Sequence, residues 1–320
     1  MTEMAADLAV PEVALRLPVI PVTLIAPRAL TEQLAINITV ATETFQHTGS
    51  FKFRAAYNVA SNVPQQKVIT ASSGNFGQAL AYACKLLNKR CVVVMPATSA
   101  KIKIAAVRSH GATVDLVDTK VKSRAARLAE VAADNPDAYV ASAYDDDLVI
   151  EGNSTLGTEL AASAQAWNSI VVPVGGGGLI SGIAQGLRRA ADATEIFGAE
   201  PALGNDAARS LHSGELVKNT SEPATIADGA RTLSLGQRNW EIIRREVSDI
   251  LEISEEAIAD SLRLLFRYAN LKVEPTGALS IAALIQYRER FIGQKVCCVV
   301  SGGNVDPSRY AQLLTQGETD

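Results

Sequence analysis

From residue 67 onward the chain alternates between short apolar runs and longer stretches whose apolar residues recur at helical spacing. The runs at 67–71, 91–95, 113–117, 169–174, 195–199 and 295–300 read as strands, several of them continuously apolar. Between them, 77–87, 103–110, 123–133, 180–191 and 276–288 read as amphipathic helices. A strand with no polar side must be buried on both faces, so the alternation predicts parallel sheet with helices above and below it. No period of roughly 20–50 residues recurs, which excludes a repeat architecture. No low-complexity linker interrupts the pattern, and only the last few residues read as frayed.

Sheets of this kind carry their chemistry in loops at the carboxyl ends of the strands. Three such loops are rich in glycine and small polar residues: Ser72-Ser73-Gly74-Asn75-Phe76-Gly77, Gly175-Gly176-Gly177-Gly178 and Ser301-Gly302-Gly303-Asn304. Glycine there lets successive backbone N–H groups close on an anion, and the dipole of the following helix adds to the attraction. One such loop says little, because a sharp strand-to-helix turn needs glycine for its shape alone. Three in one chain imply two anionic groups and a polar ring to be held. Nucleotide patterns fit less well: the tetraglycine loop lacks a Gly-Lys-Ser/Thr ending, and Gly178 and Gly182 only partly imitate G-x-G-x-x-G. No His-Glu-x-x-His or comparable hydrolase signature occurs, and only three histidines exist to supply one.

Composition adds limits rather than function. The 320 residues are 48% apolar and 20% charged, which suits one large or two close-knit globular domains. A net charge of −4, from 30 basic and 34 acidic side chains, offers no basic field for nucleic acid. No unbroken apolar stretch of roughly 18 residues exists, so no membrane span is expected. The first ten residues carry Glu3 and Asp7 and no basic region before an apolar core, so no secretory signal is expected. The four cysteines, at 84, 91, 297 and 298, show no metal-ligand spacing. They read as buried thiols in a reducing cytoplasm, with the side chains of Cys297 and Cys298 on opposite faces of a strand.

Lys52 stands in Thr48-Gly49-Ser50-Phe51-Lys52-Phe53-Arg54, before a helical stretch that runs to about Val59. Thr48 or Ser50 is expected to cap that helix, with Lys52 in its first turn. The positive end of a helix dipole lowers the pKa of an ammonium, and desolvation by Phe51 and Phe53 acts in the same direction. A lysine that loses its proton easily can form a Schiff base. Taken alone, a lysine between phenylalanines is more often a surface residue with a buried stem.

The combination is more specific. Thr-Gly-Ser-Phe-Lys-x-Arg, then Ser72-Ser73-Gly74-Asn75, then the four glycines with Leu179, then Ser301-Gly302-Gly303-Asn304 resembles the fold-type II pyridoxal-phosphate (PLP) enzymes over roughly residues 18–310. Ala199-Glu200-Pro201, Thr225-Ile226-Ala227-Asp228-Gly229 and Glu274-Pro275-Thr276-Gly277 point to the serine/threonine dehydratase and serine racemase branch. The resemblance implies an α/β fold like that of the tryptophan synthase β chain, with two parallel-sheet, three-layer α/β/α domains and the active site between them. It sets residues 1–66 and 145–320 in a large PLP-binding domain and 67–144 in a small substrate-side domain.

By the same resemblance, Lys52 carries PLP and takes the α-proton, while Phe51 and Gly229 face the two sides of the ring. Gly175, Gly176, Gly177 and Gly178 bind the phosphate, Asn75 the ring hydroxyl, and Ser301 the pyridine nitrogen. Ser72, Ser73, Gly74 and Asn75 take the substrate carboxylate, and Tyr144 lines the substrate pocket. Ser73 holds the position that serves racemases as acid and base on the opposite face. Glu200, the carbonyl of Gly204 and Asp206 coincide with the ligands of a divalent ion, whose oxygen donors suit Mg²⁺ or Ca²⁺. A cytoplasmic homodimer is implied.

The activity implied is removal of water, then ammonia, from a β-hydroxy amino acid such as L-threonine, L-serine or 3-hydroxyaspartate. An amino-acid racemase with dehydratase side activity is the alternative, and a non-catalytic binder on the same fold a third. Phe76 replaces the histidine usual after Ser-Ser-Gly-Asn, Ala55 the glycine usual after the arginine, and Ser142-Ala143-Tyr144-Asp145-Asp146 departs from the family patterns. These departures bear on the substrate rather than on the cofactor. A chain ending near residue 320 leaves no room for the effector-binding domain of biosynthetic threonine dehydratases, so catabolic use is expected.

Overall fold

A computed structural model describes residues 18–72 and 74–315. Ser73, the first seventeen residues and the last five therefore lie outside the described residues. Two sheets organise the chain. The larger runs in the order β1 (Thr23–Ile25), β2 (Asn37–Thr42), β10 (Lys295–Val300), β7 (Ser169–Pro173), β8 (Glu195–Pro201), β9 (Asp249–Ile253). All its neighbours pair in parallel except β1 with β2. The smaller, wholly parallel, runs β5 (Thr113–Val117), β4 (Arg90–Pro96), β3 (Lys67–Ala71), β6 (Tyr139–Ala141).

β10 shows why the strands are continuously apolar. Val296, Cys298 and Val300 pack into the core shared with α10 (Glu255–Ala269) and α11 (Pro275–Gln286). Cys297 and Val299 enter the opposite core, beside α6 (Asp147–Ala162) and α7 (Gly178–Arg189). The period of two sends alternate residues to opposite faces, and both faces are covered. All four cysteines are free and buried. Every strand and helix anticipated from residue 67 onward is present, with ends shifted by a residue or two. The pattern omits β1, β2, β6, β9 and several helices, α6 and α10 among them. β2 (Asn-Ile-Thr-Val-Ala-Thr) mixes threonine with apolar residues and so lacks the continuous apolar signature, yet it pairs on both sides.

Gly182 has a packing role. A Cβ there would collide with Asn153, because α6 and α7 approach backbone to backbone. Its partial imitation of a nucleotide fingerprint therefore reflects helix contact. No helix of the described residues is long and apolar enough to cross a membrane.

α2 (Lys52–Asn62) is fixed by one buried ionic cluster. The fully buried Arg54 guanidinium donates Nε to Glu43 at 2.8 Å and Nη2 to the other oxygen of the same carboxylate at 2.8 Å. Its Nη1 and Nη2 reach the two oxygens of Glu159 in α6 at 2.7 and 2.9 Å. Thr155 Oγ1 accepts the one remaining N–H, from Nη1, and the carbonyl of Ile20 lies 3.3 Å from Nη2. Burial pushes the Glu43 carboxyl pKa up while Arg54 pulls against it. Removing the cation strands two buried carboxylates. Arg54→Met should therefore cost about 3–5 kcal/mol of stability, read from urea unfolding, and Arg54→Lys should also lose stability because an ammonium lacks the fork. A loss below about 1 kcal/mol for Arg54→Met would show that the cluster is dispensable.

Candidate active site

Two residues before Arg54, Lys52 opens α2. The anticipated hydroxyl cap is absent: Phe51 is the N-cap residue and no side chain caps the helix. Ser50 is extended and bridges to Gly302, and its buried Oγ has no partner, while Thr48 sits at φ 59°. Pairing with the loop after β10 has pulled both hydroxyls away from the helix. Phe51 N–H instead donates to the carbonyl of Ser301 at 3.0 Å, which ties the start of α2 to the end of β10.

Lys52 Nζ donates to the carbonyl of Ala143 at 2.8 Å. It stands 4.9 Å from the Phe51 ring centroid and 5.8 Å from that of Phe76. Burial lowers the amine pKa to about 8, against an opposing pull from the Glu274 carboxylate. The expected contribution of Phe53 is corrected. Consecutive helical side chains diverge by about 100°, and Phe53 packs in the core against His47, Tyr57 and Tyr82. Phe76, which the sequence marked only as a departure from a pattern, takes its place.

The cavity around Lys52 measures about 1070 Å³. Phe51, Ser72, Gly74, Asn75, Tyr144, Gly175, Gly176, Gly177, Gly178, Gly229 and Ser301 line it with Lys52, so the loops of both sheets converge on one space. Ser72 donates its N–H to Val94 and accepts from Gly74 and Gly77 on its Oγ, shaping the entry to α3 (Asn75–Leu86). The four glycines close β7 and open α7, with Gly177 at φ 91°. A Cβ on Gly176 would run into the Tyr144 ring, and one on Gly229 would stand 2.9 Å from Thr276 Oγ1.

Four polar residues that sequence reasoning gave no role complete the surroundings. Asn239, fully buried in α9 (Gln237–Glu246), donates Nδ2 to the carbonyls of Tyr144 and Gly176, each at 2.9 Å. Asn153 of α6 donates to the carbonyl of Gly178 at 3.0 Å. Both hold carbonyls of the glycine loop. Asn75 Nδ2 donates to Glu274 at 2.7 Å, and Asn304 Nδ2 donates to Asn75 Oδ1 at 2.9 Å. Glu274 and Asn304 lay inside recognisable motifs. The two buried asparagines sit in ordinary helical stretches and gave no signal.

Glu200 lies at the end of β8, Gly204 in the turn that follows it, and Asp206 at the start of α8 (Asp206–Ser213). Glu200 accepts the N–H groups of Ala207 and Ala208 at the start of α8, and burial with nearby Asp206 pushes its pKa well up. Asp206 Oδ1 accepts from Asn219 at 2.7 Å, its Oδ2 is buried without a partner, and burial raises its pKa to about 6. An orphaned carboxylate oxygen beside a second carboxylate fits a hard cation, although no cluster of three His, Cys, Asp or Glu occurs among the described residues.

A lysine amine of lowered pKa, a glycine loop at a helix N-terminus and a cavity of this size suit a Schiff-base enzyme. The family described as "Pyridoxal-phosphate dependent enzyme" matches residues 15–302, and the chain belongs to it. The chain is 37% identical to the L-threo-3-hydroxyaspartate ammonia-lyase of Pseudomonas sp, over 90% of this chain and 91% of that protein. It is 37% identical to the serine racemase of Schizosaccharomyces pombe, over 86% and 85%. A solved T.th. threonine deaminase superposes with a TM-score of 0.87 at 36% identity, covering 92% of this chain and 97% of that one. The fold is therefore the fold-type II PLP fold of the dehydratase and racemase branch.

The lowered amine pKa has a direct readout. Reductive alkylation by a small aldehyde, resolved by peptide mass spectrometry on cofactor-free protein, should half-saturate at Lys52 near pH 8. Exposed lysines should need about pH 10. A Lys52 profile matching that of surface lysines would contradict its burial.

Proposed function

We propose that the protein is a PLP-dependent ammonia-lyase converting a small β-hydroxy amino acid to a 2-oxo acid and ammonia, with L-threo-3-hydroxyaspartate preferred. The observation that carries this reading is the buried Lys52 amine sharing one cavity with the tetraglycine loop and Ser301. In this reading Lys52 binds PLP, the N–H groups of Gly175, Gly176, Gly177 and Gly178 take its phosphate, and Asn75 meets the ring hydroxyl. Phe51 and Gly229 flank the ring. When bound, PLP supplies an electron sink for the substrate α-carbon.

Ser301 would offer a hydroxyl, not a carboxylate, to the ring nitrogen, so the bound group would supply a weaker sink. Such a site would suit loss of the β-hydroxyl, which takes up a proton and leaves as water. Lys52, with a pKa of about 8, would take the α-proton from one face of the substrate. The loop from Ser72 to Asn75 holds the α-carboxylate at the head of α3, where the helix dipole favours an anion. The released enamine hydrolyses to the 2-oxo acid and ammonia.

Arg124, opening α5 (Arg124–Ala133), lines the same cavity 3.7 Å from the exposed Glu222. A guanidinium there suits a second substrate carboxylate, and the Pseudomonas relative is named for a dicarboxylic substrate. Oxo-acid release should be fastest with L-threo-3-hydroxyaspartate. Arg124→Leu should lower kcat/KM for it by about 10–100-fold and leave L-serine within about threefold. Equal losses on both would remove Arg124 from substrate selection. The racemase alternative has support in the Schizosaccharomyces pombe relative and assigns the opposite-face proton to Ser73. It falls if chiral chromatography finds no D-isomer in turnover mixtures.

The cation reading assigns Mg²⁺ or Ca²⁺ to Glu200, the Gly204 carbonyl and Asp206, and the assembly carried by the resemblance is a homodimer. Chelation should lower the melting temperature, with Mg²⁺ or Ca²⁺ restoring it, since a ligand of the native state adds stability. Asp206→Asn should lose that response. An unchanged wild-type melting curve would rule the ion out.

A further inference from the structure

We propose that Glu274 is a positioning residue that orients Asn75 and provides the counter-charge to Lys52 as that amine gains and loses its proton. The proposal rests on Lys52 as the PLP lysine and is independent of the substrate.

Glu274 precedes α11 and is almost wholly buried, yet its side chain does not cap that helix. Its N–H is donated to the Gly302 carbonyl at 3.1 Å, which fixes its backbone beside the loop after β10. Its carboxylate turns into the Lys52 cavity and accepts from Asn75 Nδ2 at 2.7 Å. Asn304 Nδ2 in turn donates to Asn75 Oδ1 at 2.9 Å and to the carbonyl of Thr48 at 2.6 Å. Both ends of the Asn75 amide are therefore engaged, and its orientation is set by Glu274 on one side and Asn304 on the other. Only a carboxylate or amide oxygen at 274 supplies the acceptor this chain requires.

The charged groups facing Glu274 are Lys52 from α2, Lys103 from α4 (Lys101–Ser109) and Asp228 from the turn before Gly229. Lys103 pairs at 2.6 Å with Asp228, which lines the cavity. That leaves the buried amine and the buried carboxyl to balance one another. Burial, with Asp228 adding to it, raises the Glu274 pKa to about 7, while Lys52 comes down to about 8. Each carries the other's charge as a contribution to its own pKa, so the two titrations are linked. A proton taken up by Lys52 on Nζ would face the negative charge on Glu274.

The test follows covalent uptake of PLP by the full-length, cofactor-stripped protein as a function of pH, read from visible absorbance. Wild type should rise through two overlapping steps across pH 6–9, centred on the two values above. Glu274→Gln keeps an acceptor for Asn75 but removes the charge, so the profile should collapse to one step, with its midpoint lower by about one unit. Two surface variants guard against a folding defect in that one. Asp228→Asn should move the lower step to lower pH, and Lys103→Met should move it to higher pH. A one-step wild-type profile, an unchanged profile in Glu274→Gln, or a common direction of shift in the two surface variants overturns the proposal. A wild type that takes up no PLP at Lys52 overturns the cofactor reading together with it.

Discussion

The site depends on a guanidinium held between two carboxylates and buried from the surface. Arg54 spends its donors on Glu43, which follows β2, and on Glu159, which lies in α6. Those two carboxylates come from distant parts of the chain, so the first turn of α2 is anchored from both sides. Lys52 is two residues away on the same turn. A flexible side chain becomes a directed amine because its helix cannot slide. The same cluster is costly to bury, and it persists because its one cation is shared by two carboxylates whose oxygens are all hydrogen-bonded to it. An uncapped helix start is tolerable here for the same reason.

Around that anchor the structure converts glycines and asparagines into a surface of outward N–H groups. Asn153 and Asn239 hold carbonyls of the tetraglycine loop from behind. Asn75 is itself held by Glu274 and Asn304. Each asparagine is a fixed amide that sets the orientation of a neighbouring group. Buried polar networks of this kind tolerate few substitutions, since a half-satisfied member leaves a stranded donor or acceptor.

Much of this was legible in the sequence, for definite reasons. Continuous apolar runs such as Lys295–Val300 announce strands buried on both faces. The glycine loops announce themselves because no other residue allows such close approach. β2 stayed hidden because its threonines imitate a half-exposed strand. The hydroxyl cap expected from Thr48 or Ser50 failed because a long-range bridge to Gly302 outcompeted a local hydrogen bond. Phe53 misled because adjacency in sequence is not adjacency on a helix, and Phe76 was found only once the fold set α3 against α2. Asn153 and Asn239 carry no local signature, because their partners are carbonyls brought close only by tertiary folding.

Tyr144 rests its ring on Gly176 while its carbonyl shares the Asn239 amide with the Gly176 carbonyl. Its neighbour Asp145 accepts the N–H groups of Gln237 and Arg238 at the head of α9. The segment around Tyr144 is thus mechanically welded to the tetraglycine loop. If the proposed roles hold, selectivity and cofactor retention are inherited together, and a lineage that drifts at position 144 must repair the glycine loop at the same time.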